Sequence, residues 1–138
     1  MIIKDPNQIK YRAALQIERD YYAQDLGLVA EDLRKKYQTG ISQGKELLTE
    51  NDVKSFQKIL ADVANSHLEL QFQDEWKKQS LQFRTNILNQ VTRELFSLIK
   101  TSKENISNEV KLYAPLLLEK FFVESLETIQ RNNQFTGL

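Results

Sequence analysis

The sequence predicts an all-α protein: an antiparallel bundle of long amphipathic helices with coiled-coil-like packing. No glycine or proline occurs among the 70 residues between Gly44 and Pro115, and these are the strongest breakers of regular structure. The same stretch is rich in Leu, Lys, Glu, Gln and Arg, which favour helix. Its apolar residues also recur at helical spacings. The bundle has three long helices, or four to five if the chain is kinked near residues 65–80 and at Pro115.

Composition narrows the class of protein. The 138 residues fit one helical domain, 1–138. The 19 basic and 19 acidic side chains balance, so no net charge attracts nucleic acid or anionic lipid. The absence of cysteine excludes disulfides and thiolate metal sites. No stretch approaches the ~18 apolar residues of a membrane span, and residues 1–6 lack the apolar core of a signal peptide. We therefore expect a cytoplasmic protein with no membrane span.

The first helix is predicted over about residues 6–38. Asp5 is a suitable N-cap, and Pro6 suits the first helical position. An apolar stripe then follows helical spacing. Its members are Leu15, Tyr22, Leu26, Val29 and Leu33.

Two glycines in this region carry structural expectations. Gly27 lies inside the stripe, where it either permits close approach of another helix or is merely tolerated. Residues 39–44 form the clearest loop in the sequence, and Gly40 suits the C-terminal cap of the first helix.

The second helical region is predicted over 49–100. Thr49 and Asp52 have the spacing of a capping box. A heptad repeat can be counted from Val53. Its two core positions hold fourteen residues, and ten of these are apolar. The four exceptions are all near the middle: His67, Asp74, Lys77 and Arg84.

A second apolar stripe appears in this middle part, and its members are Leu68, Phe72, Trp76, Phe83 and Ile87. Either the helix breaks near 65–80, so that its pieces face different partners, or it is continuous and covered on two sides. An unbroken helix over 49–100 would be roughly 78 Å long. We favour a break near residues 65–67, because Asn and Ser side chains compete with helical hydrogen bonds.

The last helix is predicted over about 104–132. Thr101 and Glu104 match a capping box, and Ser102 or Asn105 is an alternative cap. Residues 112–123 are apolar nearly all round, which predicts burial within the monomer or within an oligomer. Pro115 is expected to kink this helix or to start a new one.

Sequence patterns of catalysis and metal binding are missing. A single histidine cannot supply a zinc site with the usual ligands. The paired Glu-x-x-His motifs of a dimetal bundle are absent, as are phosphate-binding loops and nucleophile elbows. We therefore expect no catalytic residues, no metal site and no cofactor, and predict that the protein is not an enzyme.

His67, Asp74 and Lys77 share the core positions of the counted heptads. They predict a polar layer in the core, in which the histidine sets register or responds to pH. The alternative is a half-exposed histidine on a kinked helix.

Large apolar residues outside the main heptad positions are either core or a recognition surface. Those assigned to partner binding are Phe72, Trp76, Phe83, Ile87, Leu116 and Phe122. They predict a non-enzymatic interaction module, an adaptor or chaperone-like protein, that self-associates or binds a partner helix through an apolar seam.

Two other functions remain compatible with the sequence. One is a small helical subunit that associates with nucleic acid through a basic face of the second helical region. The basic residues concerned are Lys77, Lys78, Arg84, Arg93, Lys100 and Lys103. The other is a structural coiled-coil spacer, which requires an unbroken rod over 49–100.

Overall fold

The computed structural model describes residues 5–136 and the side chains of residues 5–132. Residues 1–4 and 137–138 of the predicted domain lie outside this range. The described chain contains no strand and is built from helices. These are α1 (Pro6–Gln43), α2 (Glu50–Phe72), a short 3-10 helix (Gln73–Glu75), α3 (Leu81–Thr101) and α4 (Ile106–Thr136). The prediction of an all-α bundle is confirmed.

Contacts at the two ends of α1 show that α1 and α2 are antiparallel. Near the start of α1, Arg12 donates a hydrogen bond to the carbonyl of Leu70, close to the end of α2 (3.0 Å). Near the end of α1, Lys36 pairs with Asp52, close to the start of α2 (2.8 Å).

The other neighbouring helices also run in opposite directions. Phe56, early in α2, packs edge to face against Phe96, late in α3 (ring centroids 5.1 Å apart). Arg34, late in α1, donates to the carbonyls of Ser102 and Glu104, just before α4 begins. The chain therefore runs up, down, up and down around one core.

The core is a continuous set of apolar side chains from all four long helices. Its fully buried large members are Trp76, Phe56, Phe122, Leu26, Leu60, Leu68, Ile87, Leu95, Ile99, Leu118, Val63 and Val91. Burial of such side chains contributes about 1.5–3 kcal/mol each before conformational entropy is subtracted.

The start of α1 follows the sequence prediction, but its end does not. Asp5 caps the helix by accepting a hydrogen bond from the backbone N–H of Asn7 (2.9 Å). The helix continues through Gln43 and ends at Gly44, whose φ of 68° suits glycine. The predicted cap at Gly40 is wrong. Gly40 is instead packed under the returning chain, and a Cβ there would lie 2.5 Å from the carbonyl oxygen of Lys45.

Gly27 serves a close approach of two helices, which confirms one of the two interpretations of this residue. A Cβ at Gly27 would lie 2.4 Å from the carbonyl oxygen of Ser107 in α4. No side chain fits there unless α1 and α4 move apart.

The second helical region breaks within the predicted interval 65–80, but at residues 73–80 rather than at 65–67. The capping box of Thr49 and Asp52 at the start of α2 is confirmed. Ser66 lies inside α2, and its hydroxyl donates to the carbonyl of Asp62, one turn earlier (3.0 Å), so its side chain bonds within the helix instead of ending it. Helix α2 ends at Phe72, and its C-cap Gln73 has a φ of +55°. Ser80 then caps α3 by accepting from the N–H of Phe83 (3.1 Å).

The last helix begins later than predicted and is not divided at its proline. Thr101 still belongs to α3, where its hydroxyl donates to the carbonyl of Ser97 (2.7 Å). Asn105 caps α4 by accepting from the N–H of Asn108 (3.2 Å), as the alternative assignment proposed. Pro115 lies inside α4. Its neighbours Ala114 and Leu118 are both buried in the core, which holds the helix on either side of the proline.

Candidate interaction surface on the last helix

Most residues assigned to partner binding lie inside the bundle. Trp76, Ile87 and Phe122 are buried, and Phe72 and Phe83 are half-buried. Of the six candidates, only Leu116 is largely exposed (57%). The buried residues therefore serve as core in the folded chain, which is the alternative that the sequence left open.

Four aromatic rings of this set form one cluster. The rings of Phe72, Trp76 and Phe83 pack edge to face around Phe122, with centroids 5.2, 5.5 and 6.1 Å from it. The indole N–H of Trp76 donates to the side-chain oxygen of Asn65 (2.9 Å), so its polar atom is satisfied. Because the chain turns back between α2 and α3, the second apolar stripe meets α4 instead of solvent.

The predicted polar layer is only partly correct. His67 is buried, as that prediction requires, but Asp74 and Lys77 are exposed. They follow the end of α2, so the heptad count that placed them beside His67 does not continue to them. His67 instead lies between Arg19 of α1 (Nη1 to Nδ1, 3.4 Å) and Glu119 of α4 (Nε2 to Oε1, 3.5 Å). Burial lowers the pKa of His67, and the nearby Glu119 opposes this effect without cancelling it.

A second polar group lies in a cleft of about 450 Å³ between α1 and the end of α2. The same carboxylate oxygen of Glu69 accepts from the hydroxyl of Tyr11 (2.6 Å) and from the ammonium of Lys77 (2.7 Å). Burial alone would raise the pKa of Glu69, but the bonds from Lys77 and Tyr11 outweigh it and lower the pKa. The hydrogen bond to Glu69 raises the pKa of Lys77 and of Tyr11. These groups thus bond to one another and join three segments.

The basic residues proposed for nucleic-acid binding do not form one helical face. Lys77 and Lys78 belong to the connection before α3, and each pairs with a glutamate. Lys100 lies over the ring of Tyr37 in α1, 5.6 Å from its centroid. Arg84 lines a cleft that it shares with Glu69. Acidic partners therefore reduce the local positive field on which phosphate binding depends.

Helix α4 presents an apolar face to solvent, here called the α4 outer face and defined by Leu112, Tyr113, Leu116 and Val123. Their side chains are exposed by 58%, 47%, 57% and 37%, respectively. The opposite side of the helix is core, and its buried members are Val110, Ala114, Leu118 and Phe122. The segment predicted to be apolar all round is therefore covered by the bundle on one side only.

Exposed apolar side chains also occur on α1. On α1, Ile17, Tyr21 and Leu28 follow steps of four and seven residues along one face. On α4, Leu112, Tyr113 and Leu116 fall within five consecutive positions. A groove of about 290 Å³ between α3 and α4 adjoins Tyr113. The α4 outer face therefore combines closely spaced apolar side chains with a groove at its border.

From the sequence, Leu116 was assigned individually, and the other members of the α4 outer face were included only as part of the apolar run 112–123. The available signal was the all-round apolar run 112–123, which predicted burial within the monomer or within an oligomer. Which residues belong to that side depends on the rotation of α4 about its axis, and packing sets this rotation.

Two kinds of feature are absent from the described residues. Within 5–136, no helix is both long enough and apolar enough to cross a membrane. These residues also contain no group of three or more His, Cys, Asp or Glu side chains that could hold a metal ion. No protein-family model, curated protein or solved structure matches this chain.

Proposed function

We propose that this chain is a non-enzymatic helical interaction module, an adaptor or chaperone-like protein of the cytoplasm. Its α4 outer face binds a helix of another polypeptide, either a second copy of the chain or a partner protein. The observation that carries the proposal is the exposure of Leu112, Tyr113 and Leu116 on a helix whose opposite side is core. A helix that lays its own apolar side on this face removes both surfaces from water.

The polar groups support an interaction role over catalysis. Glu69, Lys77 and Tyr11 bond to one another, and His67 lies between Arg19 and Glu119. The first group joins α1, α2 and the connection after α2, and the contact of His67 with Glu119 links α2 to α4, the helix that carries the binding face.

Neither alternative function gains a supporting observation. The spacer requires an unbroken helix over 49–100, whereas the chain turns between α2 and α3. The nucleic-acid proposal requires a basic face, and two of its cations, Lys77 and Lys78, are paired with glutamates. Salt distinguishes the two kinds of binding, because a phosphate complex weakens steeply with rising salt and an apolar complex does not.

Site-specific photocrosslinking in cells that express this protein tests the proposal. A photoreactive amino acid at position 116 is expected to give a discrete crosslinked species, whose mass identifies either a second copy or another protein. The same group at Gln82, an exposed polar position of α3, is the matched control. Adding Leu112→Glu to the position-116 variant should abolish the species. Equal labelling from positions 116 and 82 would refute this role of the α4 outer face.

A further inference from the structure

One row of side chains on α4 combines apolar contact with opposite charges at its ends. Glu109, Tyr113, Leu116 and Lys120 follow steps of four, three and four residues. Such steps keep side chains on the same side of a helix. Tyr113 and Leu116 are exposed members of the α4 outer face, Glu109 is half-buried and Lys120 is exposed.

The order of this row is self-complementary. Read in the opposite direction, the row is again a charge, two apolar side chains and a charge, with the two signs exchanged. In an antiparallel pair of such helices centred between residues 114 and 115, Glu109 of each copy faces Lys120 of the other. Each charge then lies roughly 8 Å along the axis from the centre. Tyr113 of each copy faces Leu116 of the other.

We infer that the occupant of the α4 outer face is a second copy of this chain, docked antiparallel about a two-fold axis between residues 114 and 115. The inference rests on the proposed function and names its partner. A two-fold interface must place the same surface on both subunits, so every contact occurs twice. The row meets that requirement, because one Glu109–Lys120 contact automatically generates the second.

A parallel pair would not use the charges in this way. It would place Glu109 opposite Glu109 and Lys120 opposite Lys120, which is repulsive at both ends of the row. The carboxylate of Glu109 also accepts a hydrogen bond from the hydroxyl of Ser102. That bond orients the carboxylate and leaves other lone pairs free to accept from Lys120 of the second copy.

Charge reversal tests the partner and its orientation together. Purified wild type, Glu109→Lys, Lys120→Glu and the double variant are compared by sedimentation velocity from about 1 to about 500 µM. The wild type should dimerise. Each single variant should dimerise at least about tenfold more weakly, because two attractive contacts become repulsive. The double variant should dimerise about as tightly as wild type, because both members of each contact have exchanged their charges.

An equimolar mixture of the two single variants is the most specific test of the predicted pairing between positions 109 and 120. In a mixed pair, the new lysine of the Glu109→Lys variant faces the new glutamate of the Lys120→Glu variant. At the opposite end of the row, the unchanged Lys120 and Glu109 face each other. The mixture should therefore associate as tightly as wild type, although each variant alone does not. Leu116→Asp should abolish dimerisation in every background, and circular dichroism checks that each variant remains helical.

The outcomes separate this inference from the proposed function. A wild type that stays monomeric throughout the concentration range overturns the inference, and crosslinking of another protein at position 116 would still support the interaction module. A dimer that Leu116→Asp abolishes, but that neither single charge reversal weakens, overturns the antiparallel arrangement alone.

Discussion

His67 lies inside the bundle, and its two ring nitrogens face charges of opposite sign. Nδ1 is 3.4 Å from the guanidinium of Arg19, which can only donate, so a neutral ring accepts at this nitrogen. Nε2 is 3.5 Å from the carboxylate of Glu119. Protonation of Nδ1 would place two positive donors against each other, so the arrangement favours the neutral ring.

The stability of the protein should therefore depend on pH through His67. Burial lowers the pKa of this ring below its ordinary value of 6.5, so protonation costs more in the folded chain than in the unfolded one. The stabilisation is present above the unfolded pKa and is lost as the pH falls below it. We expect the free energy of unfolding in urea to decrease between about pH 7 and about pH 5.

The variant His67→Gln should lose much less stability over the same interval. The lowered pKa values of Glu69 and Asp52 add their own losses only at lower pH, because their ordinary values are 4.5 and 3.8. Parallel pH profiles of wild type and variant would show that the buried site of His67 does not discriminate between the two charge states of the ring.

At the scale of elements, the connection between α2 and α3 determines the shape of the molecule. Gln73 leaves α2 with a positive φ, Trp76 enters the core, and Ser80 starts α3. The indole thus anchors a segment that has little other apolar burial. The ring of Phe122 in α4 packs edge to face against the indole, with ring centroids 5.5 Å apart.

Trp76→Ala should destabilise the protein by about 3–5 kcal/mol, because it leaves a cavity at the centre of the aromatic cluster. Trp76→Phe keeps a ring but removes the hydrogen bond to Asn65, and should cost about 1 kcal/mol for that bond. Thermal unfolding followed by circular dichroism measures both changes. Leu81→Ala is the matched control, since Leu81 is 73% exposed and should change stability by less than about 0.5 kcal/mol. Equal effects at positions 76 and 81 would contradict the anchoring role.

At the scale of the whole molecule, the close contact of α1 and α4 orients the α4 outer face. Gly27 lets the carbonyl of Ser107 approach the backbone of α1, and Arg34 bonds to carbonyls just before α4 begins. The rotation of α4 about its axis follows from these contacts. It places Leu118 and Phe122 inward and Leu112 and Leu116 outward.

Gly27→Ala should destabilise the bundle by about 1–3 kcal/mol, because the new methyl group overlaps a backbone oxygen. The steric cost should exceed the ~1 kcal/mol that alanine gains over glycine in an isolated helix, so the net change is destabilising. Urea unfolding of wild type and variant measures this change in the free energy of unfolding.

The double variant Gly27→Ala/Ser107→Ala should not recover stability, because Ser107→Ala removes the hydroxyl and leaves the carbonyl in place. Recovery in the double variant would place the steric conflict at the side chain of Ser107.

Local chemistry in the sequence was sufficient to predict the helical class, the caps at Asp5 and at Thr49 with Asp52, and a break between residues 65 and 80. Helix propensity, capping and turn formation depend on neighbours a few residues apart, so one sequence reveals them. The stripe on α1 was also correctly predicted, since Leu15, Leu26 and Leu33 are buried. The same spacing rule could not distinguish a partner-binding stripe from a core stripe.

Only the tertiary structure decided which apolar residues stay exposed and which polar residues meet. Trp76 became core because the chain reverses after Phe72, and His67 met Glu119 because α4 returns beside α2, 52 positions later in the sequence. Asp74 and Lys77 left the predicted polar layer for the same reason. Hydrophobic burial has no direction of its own, so a stripe specifies that it must be covered but not which segment covers it. The positions of Gly27 and Ser107 help to orient α4, and this orientation leaves Leu112, Tyr113, Leu116 and Val123 exposed to solvent.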